Sequence, residues 1–168
     1  MKDPMKKFLD KAVKFGALEA KVISPRKVFT AAWVRQKCQF GCGGWAKCLT
    51  CPPHSPLPEE TRKVLDCYSK AILLHGKGRW NRIRKAAIRL EREIFLAGYY
   101  KAYAMGSGPC DLCRTCDLES CKHPEKARPS MEACGIDVFR TARENGYPIR
   151  VVKTDKDEPD FFGLVLVE

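Results

Sequence analysis

The sequence predicts an α/β fold. It reads as a single compact domain over residues 1–168, with a largely parallel or mixed sheet flanked by helices and two cysteine-rich metal-binding loops. Three observations carry that expectation. Short apolar runs of strand type alternate with helical patterns through most of the chain, which is the order that builds parallel sheets. The stretch from Trp80 to Ala97 carries a helical stripe of Ile83, Ala87, Leu90 and Ile94. Eight of the ten cysteines fall in two Gly/Pro-rich stretches, 38–58 and 108–129.

Taken in order, Asp3-Pro4 reads as a cap and a first helical position, with Met5, Phe8, Leu9, Ala12 and Val13 at helical spacing and Gly16 as the stop. "LEAKVI" alternates as a strand, and "KVFTAAWV" reads as a second extended piece leading into Cys38. "PEETRKVLDCYSK" begins with proline and acids and ends basic, which suits a helix and its dipole. "KAILLHG" is a buried strand, Trp80–Ala97 a helix stopped by Gly98, and "YYKAYAM" another strand. Ser130 caps a predicted helix running to about Glu144, with Asn145-Gly146 as its stop. "YPIRVVK" and "FFGLVLVE" close the chain as an antiparallel hairpin around the acidic turn "TDKDEPD". Both cysteine loops are predicted to follow strands, where α/β sheets gather their sites.

The first residues are charged and amphipathic rather than of signal-peptide type, and no window approaches a membrane span. The expected location is the cytoplasm, where clustered thiols stay reduced and bind metal. The formal charge is +11, from 31 Lys+Arg against 20 Asp+Glu. Two 4Fe–4S clusters, each about −2 with its thiolates, would bring the loaded protein to about +7. The remaining basic excess suits an acidic protein partner or a nucleic acid.

In the second loop, Cys110, Cys113, Cys116 and Cys121 run C-x2-C-x2-C-x4-C. A small cubane needs sulfurs presented in different directions, and C-x2-C-x2-C does this from one loop. The fourth cysteine comes one residue later than in the bacterial ferredoxin run, and Pro124 lies three residues beyond it. Zinc is the rival, although structural zinc sites usually pair two short knuckles a dozen or more residues apart. The first loop supplies Cys38, Cys42, Cys48 and Cys51 as C-x3-C-x5-C-x2-C, with Gly41, Gly43 and Gly44 to bend closely around a ligand and Trp45 to shield it. Iron–sulfur is again the favoured reading and zinc the alternative.

The stretches "VRQKCQFGCGGWAKCLTCPP" and "GPCDLCRTC…CKHPEKARPSMEACGIDVFRTAREN" resemble an uncharacterised family of small predicted metal-binding proteins of methanogenic archaea and anaerobic bacteria. The resemblance covers both loops and most of the chain. It implies that Cys38, Cys42 and Cys51 belong to the first site and Cys110, Cys113, Cys116 and Cys121 to the second. Cys48 stands outside the family pattern. If three cysteines serve the first loop, one iron stays open to substrate; if Cys48 completes the set, the site is closed and suits electron passage. The resemblance implies no particular reaction.

Cys134 reads either as a further ligand or as a small core residue, and Cys67 as a core thiol. His54 and His123 sit beside candidate ligands, where each reads as an ordinary loop histidine or as a donor to cluster sulfur. Arg82, Lys85, Arg89 and Arg92 share one helix face, which is a solvated face or a docking face. Lys122, Lys126 and Arg128 flank the second loop. The functional expectation is a two-cluster iron–sulfur protein in electron transfer or redox support. Two alternatives stand beside it: an iron–sulfur enzyme with an open iron for sulfur transfer or small-substrate activation, and a zinc protein contacting nucleic acid.

Overall fold

The structure, a computed structural model, describes residues 4–168, so the predicted cap at Asp3 lies outside the described residues. Helix α1 (Pro4–Lys14) leads to β1 (Glu19–Ile23), α2 (Ala32–Gly41), α3 (Pro58–Leu65), β2 (Ala71–Lys77), α4 (Trp80–Leu96), β3 (Tyr103–Met105), α5 (Val138–Glu144) and β4 (Asp160–Leu166). The strands form one sheet of order β1-β2-β4-β3.

All three pairings in that sheet are antiparallel, which corrects the expected parallel or mixed arrangement. The physical reason lies in β4. Strands β2 and β3 run in the same direction on either side of the α4 crossover, as the strand–helix–strand pattern predicts. The C-terminal strand then inserts between them, pairing Leu73 with Leu164 on one side and Met105 with Leu164 on the other. A strand buried on both faces between two partners must be apolar throughout, and Gly163 to Leu166 are all buried.

The expected terminal hairpin is absent, because "YPIRVVK" forms no strand. Pro148 has no backbone donor. Tyr147 and Ile149 instead turn inward, and the Tyr147 ring lies 5.2 Å from that of Phe162. The stretch expected to be extended before Cys38 is also different. Ser24 caps a short 3-10 turn over Pro25–Lys27, Thr30 bridges to Ile136, and the chain then enters α2, whose last turn carries Cys38. The first cysteine loop therefore follows a helix. The single helix expected from Ser130 is broken into a 3-10 turn (Glu132–Cys134) and α5, which Asp137 caps by accepting from the Arg140 amide at 2.9 Å. The break is at Gly135, with φ 73°, where a Cβ would meet Pro58 Cγ at 2.5 Å.

The sheet is covered on both faces. Ile72, Leu74 and Val165 pack with Phe8 of α1 and with Ile83, Ala87, Leu90 and Ile94 of α4. Leu73, Phe162, Leu164 and Leu166 pack with Leu65, Met131, Ile136 and Ala142. The predicted stripe on the longest helix is thus the face that the sheet buries. Its close approach depends on two glycines under Ile83. A Cβ on Gly76 would stand 2.5 Å from Ile83 Cδ1, and one on Gly163 would stand 2.9 Å from Ile83 Cγ2.

Gly76→Ala should destabilise the fold by about 1–3 kcal/mol through overpacking against the fully buried Ile83. Adding Ile83→Ala in that background should cost less than Ile83→Ala alone, because the two side chains compete for one volume. Urea midpoints of the four proteins measure the coupling.

Candidate metal centre

Two anchors place the first cysteine loop. From α2, the Arg35 guanidinium donates to the carbonyls of Pro53 (3.2 Å), Ser55 (3.2 Å) and Pro56 (3.1 Å), which fastens the returning limb to the helix that carries Cys38. Ser55 Oγ donates to the Ala133 carbonyl, which ties that limb to the 3-10 turn. Between the anchors the chain curls tightly. Ala46 adopts a left-handed backbone (φ 58°) and its amide donates to Pro52 O at 2.8 Å. Gly44 lies against two of the sulfurs, where a Cβ would stand at ordinary contact distance, 3.5 Å from Cys42 Sγ and 3.8 Å from Cys51 Sγ.

The second loop leaves β3 and returns through a narrow neck. Gly106 N donates to Pro129 O at 2.8 Å, and Met131 N donates to Gly106 O at 3.1 Å. Two ion pairs brace it from α4. Arg128 holds Glu91 with two hydrogen bonds of 2.8 and 2.6 Å, and Arg84 pairs with Asp111. Glu91 also accepts the Ala104 amide at 2.7 Å, so one carboxylate joins α4, β3 and the loop's return.

These anchors divide the thiols in a way that chain order does not suggest. Cys48, from the first loop, lines a small cavity of about 30 Å³ together with Cys110, Cys113, Cys116 and Cys121. Its thiol interacts with that of Cys116 and with the Cys110 amide, and also with the thiol of Cys51, while the Leu49 amide reaches the Cys116 sulfur. The remaining three, Cys38, Cys42 and Cys51, line a separate cavity of about 660 Å³ with apolar walls that include Trp33, Trp45, Trp80, Phe139 and Phe162. The first volume admits an ion or a water, and a four-iron cluster would require its two limbs to part.

The thiols differ in acidity. Burial pushes Cys51 up to about 12, helped by its neighbours Cys48, Cys42 and Cys38. Burial also raises Cys38, with Cys42 and Glu132 adding to it and Arg35 opposing, and raises Cys110, with Arg84 opposing. Cys48 goes the other way: burial works against its thiolate, but hydrogen bonds from Thr50, Cys116 and the Cys110 amide outweigh it. Its Sγ lies 3.2 Å from Thr50 Oγ1.

Other candidates sit elsewhere. Cys134 is 1% exposed and packs in the core beside Val28, Leu65 and Ile136. Cys67 is exposed, not a core thiol, because it falls past the end of α3, where its Sγ donates to Lys63 O at 3.3 Å. His54 is exposed; His123 and Lys122 line the five-thiol cavity. Arg82, Lys85, Arg89 and Arg92 are all exposed. Two charged residues near the sites escaped the sequence reading. Arg84 is 1% exposed, and its Nε and Nη1 have no hydrogen-bond partner. Glu132 lines the three-thiol cavity, and its Oε2 is buried without a partner. Arg84 had a visible signal, a charge adjoining the apolar stripe at Ile83. Glu132 had none.

Among the described residues, no group of three or more His, Cys, Asp or Glu side chains is already arranged to hold a single metal ion. The donor chemistry nonetheless fits a thiophilic metal, since both cavities are lined by sulfur, the ligand of iron–sulfur clusters and of structural zinc. The family model described as "Predicted metal-binding protein (DUF2284)" matches residues 21–167 and so spans both cysteine loops. No curated protein and no solved structure matches the chain. Among the described residues, no helix is long and apolar enough to cross a membrane.

Arg128→Met should cost about 3 kcal/mol of stability, because it leaves the Glu91 carboxylate, 13% exposed, without its cation. Pairing it with Glu91→Gln should restore part of that loss. Urea unfolding of the two variants measures it.

Proposed function

The chain belongs to the family of predicted metal-binding proteins (DUF2284), and from that premise we propose an iron–sulfur protein with two clusters, of the 4Fe–4S type, that passes single electrons. The spacing C-x2-C-x2-C at Cys110, Cys113 and Cys116 supports the cluster type. The observation that carries the reading is the division of the thiols. Cys110, Cys113, Cys116 and Cys121 would hold one cluster with Cys48 beside them. Cys38, Cys42 and Cys51 would hold the other, whose fourth corner is left to a group other than cysteine. A bound cluster supplies one-electron chemistry at a potential set by burial, hydrogen bonds and nearby charge.

The protein's own part is electrostatic and steric. The buried Arg84, anchored on Asp111, places a cation behind the Cys110 end of the second loop, and Lys122 places another at the cavity wall. Both favour a net anionic group there. Leu49 and Leu112 keep the same cavity partly apolar. In the first site Arg35 holds the loop against α2 and opposes the charge of the Cys38 thiolate. The exposed Arg82, Lys85, Arg89 and Arg92 offer an acidic redox protein a docking face. Reduced thiols of this kind suit the cytoplasm.

The 660 Å³ cavity favours a second reading, in which electrons reach a small molecule with an apolar body bound against Trp33, Trp45 and Trp80 beside the three-thiol site. That reading is an enzyme with an exchangeable corner, and it builds on the first.

Anaerobic purification with iron, sulfide and zinc quantified, followed by electron paramagnetic resonance after dithionite reduction, tests the proposal. The expected result is two clusters per chain in the wild type and in Cys48→Ser. Cys38→Ser should lose one, and Cys48→Ser should shift only the signal that depends on Cys110. Stoichiometric zinc without sulfide would overturn the iron–sulfur reading and leave the zinc protein, with salt-dependent nucleic-acid binding as its mark. Loss of the same cluster in Cys48→Ser and Cys38→Ser would overturn the three-cysteine site.

A further inference from the structure

Glu132 lines the cavity that Cys38, Cys42 and Cys51 share. It opens the 3-10 turn Glu132–Cys134, which packs against α2, the helix that carries Cys38. The turn is fixed from three directions. Ser130 Oγ accepts from the Ala133 amide at 3.0 Å, Ser55 Oγ donates to the Ala133 carbonyl, and Gly135 closes the turn in a left-handed conformation. The carboxyl group therefore projects from a rigid seat. It lines the same cavity as Cys38, Cys42 and Cys51, close enough for its charge to be felt at the Cys38 thiol.

The Ser130 side chain and the residue's own amide reach the carboxyl group, yet its Oε2 is shut off from solvent with no hydrogen-bond partner. A buried acceptor without a donor is a cost to the metal-free chain. The cation beside it does not relieve that cost, because Arg35 directs Nη1 and Nη2 at the carbonyls of Ser55, Pro56 and Pro53.

We infer that Glu132 is the fourth protein ligand of the first-loop metal site, with Oε2 completing the set Cys38, Cys42 and Cys51. On ligation the carboxylate donates an oxygen lone pair to the metal. Carboxylate oxygen is an accepted ligand beside thiolates at zinc and is harder than sulfur, so iron holds it less firmly than a fourth thiolate. The site would then carry one exchangeable corner, facing an apolar cavity. This inference rests on the proposal that the first-loop cysteines hold a metal.

Wild type, Glu132→Gln, Glu132→Cys and Cys38→Ser are each reconstituted anaerobically with ferrous iron and sulfide. Iron retained against a chelator and the thermal midpoints of the metal-free and loaded forms are measured. Glu132→Gln should leave the metal-free midpoint unchanged or raised, because it removes a buried charge in nearly the same shape, and should weaken iron retention at the Cys38-dependent site at least about tenfold. Glu132→Cys should restore retention. A merely structural glutamate would lower the metal-free midpoint and leave retention alone. Retention in Glu132→Gln equal to wild type, while Cys38→Ser loses iron, overturns the inference and spares the metal site. Equal iron in wild type and Cys38→Ser overturns both.

Discussion

The contact between the Cys48–Thr50 limb and the loop that leaves β3 is the constraint on which the rest of the site depends. These two segments are more than sixty residues apart in the chain. They meet because Arg35 and Ser55 hold the first loop to α2 and the 3-10 turn, while the Gly106 neck and the Glu91–Arg128 pair hold the second to β3 and α4. Once both are pinned, Cys48 reaches Cys110 and Cys116 and lines their cavity, while it stays next to Cys51 at the boundary between the two groups of thiols. Five thiols gather on one side and three on the other.

Charge follows the same division. The sulfur-rich cavity has the buried Arg84 and the wall residue Lys122 near it, whereas the three-thiol cavity is walled by indoles and phenyl rings and holds the Glu132 carboxyl. One environment suits a group that stays put and carries negative charge. The other suits a group with a corner to spare, next to space for something apolar. Part of the +11 formal charge is thus spent close to the second loop, and part lies on the solvent face of α4, where long-range attraction of an acidic partner operates.

Local signals were legible in the sequence; the arrangement of distant segments was not. The run Ala71–Gly76 and the Ile83–Ile94 stripe announced a buried strand and its covering helix, because burial on a sheet imposes those patterns directly. The cysteine clusters announced metal chemistry for the same reason. Strand order carries no such local mark: nothing in "FFGLVLVE" says that it enters between β2 and β3, so the alternation of strands and helices reads as a largely parallel or mixed sheet. The stretch "KVFTAAWV" before Cys38 reads as extended, but tertiary context starts α2 at Ala32. The partition of Cys48 and the orphaned oxygen of Glu132 depend on loop closure between distant segments, which spacing within a loop cannot encode.

The most direct measurement is thiol cross-linking of the metal-free, reduced protein with a short bifunctional bimane reagent, with the linked peptides identified by mass spectrometry. Thiols that line one cavity should be joined, and Cys48, which also adjoins Cys51, should reach across to the second loop. The account predicts Cys48 linked to Cys116 or Cys110 in addition to any link with its neighbour Cys51, and links among Cys38, Cys42 and Cys51. Cys48 joined to Cys42 or Cys51 and never to the second loop would contradict it.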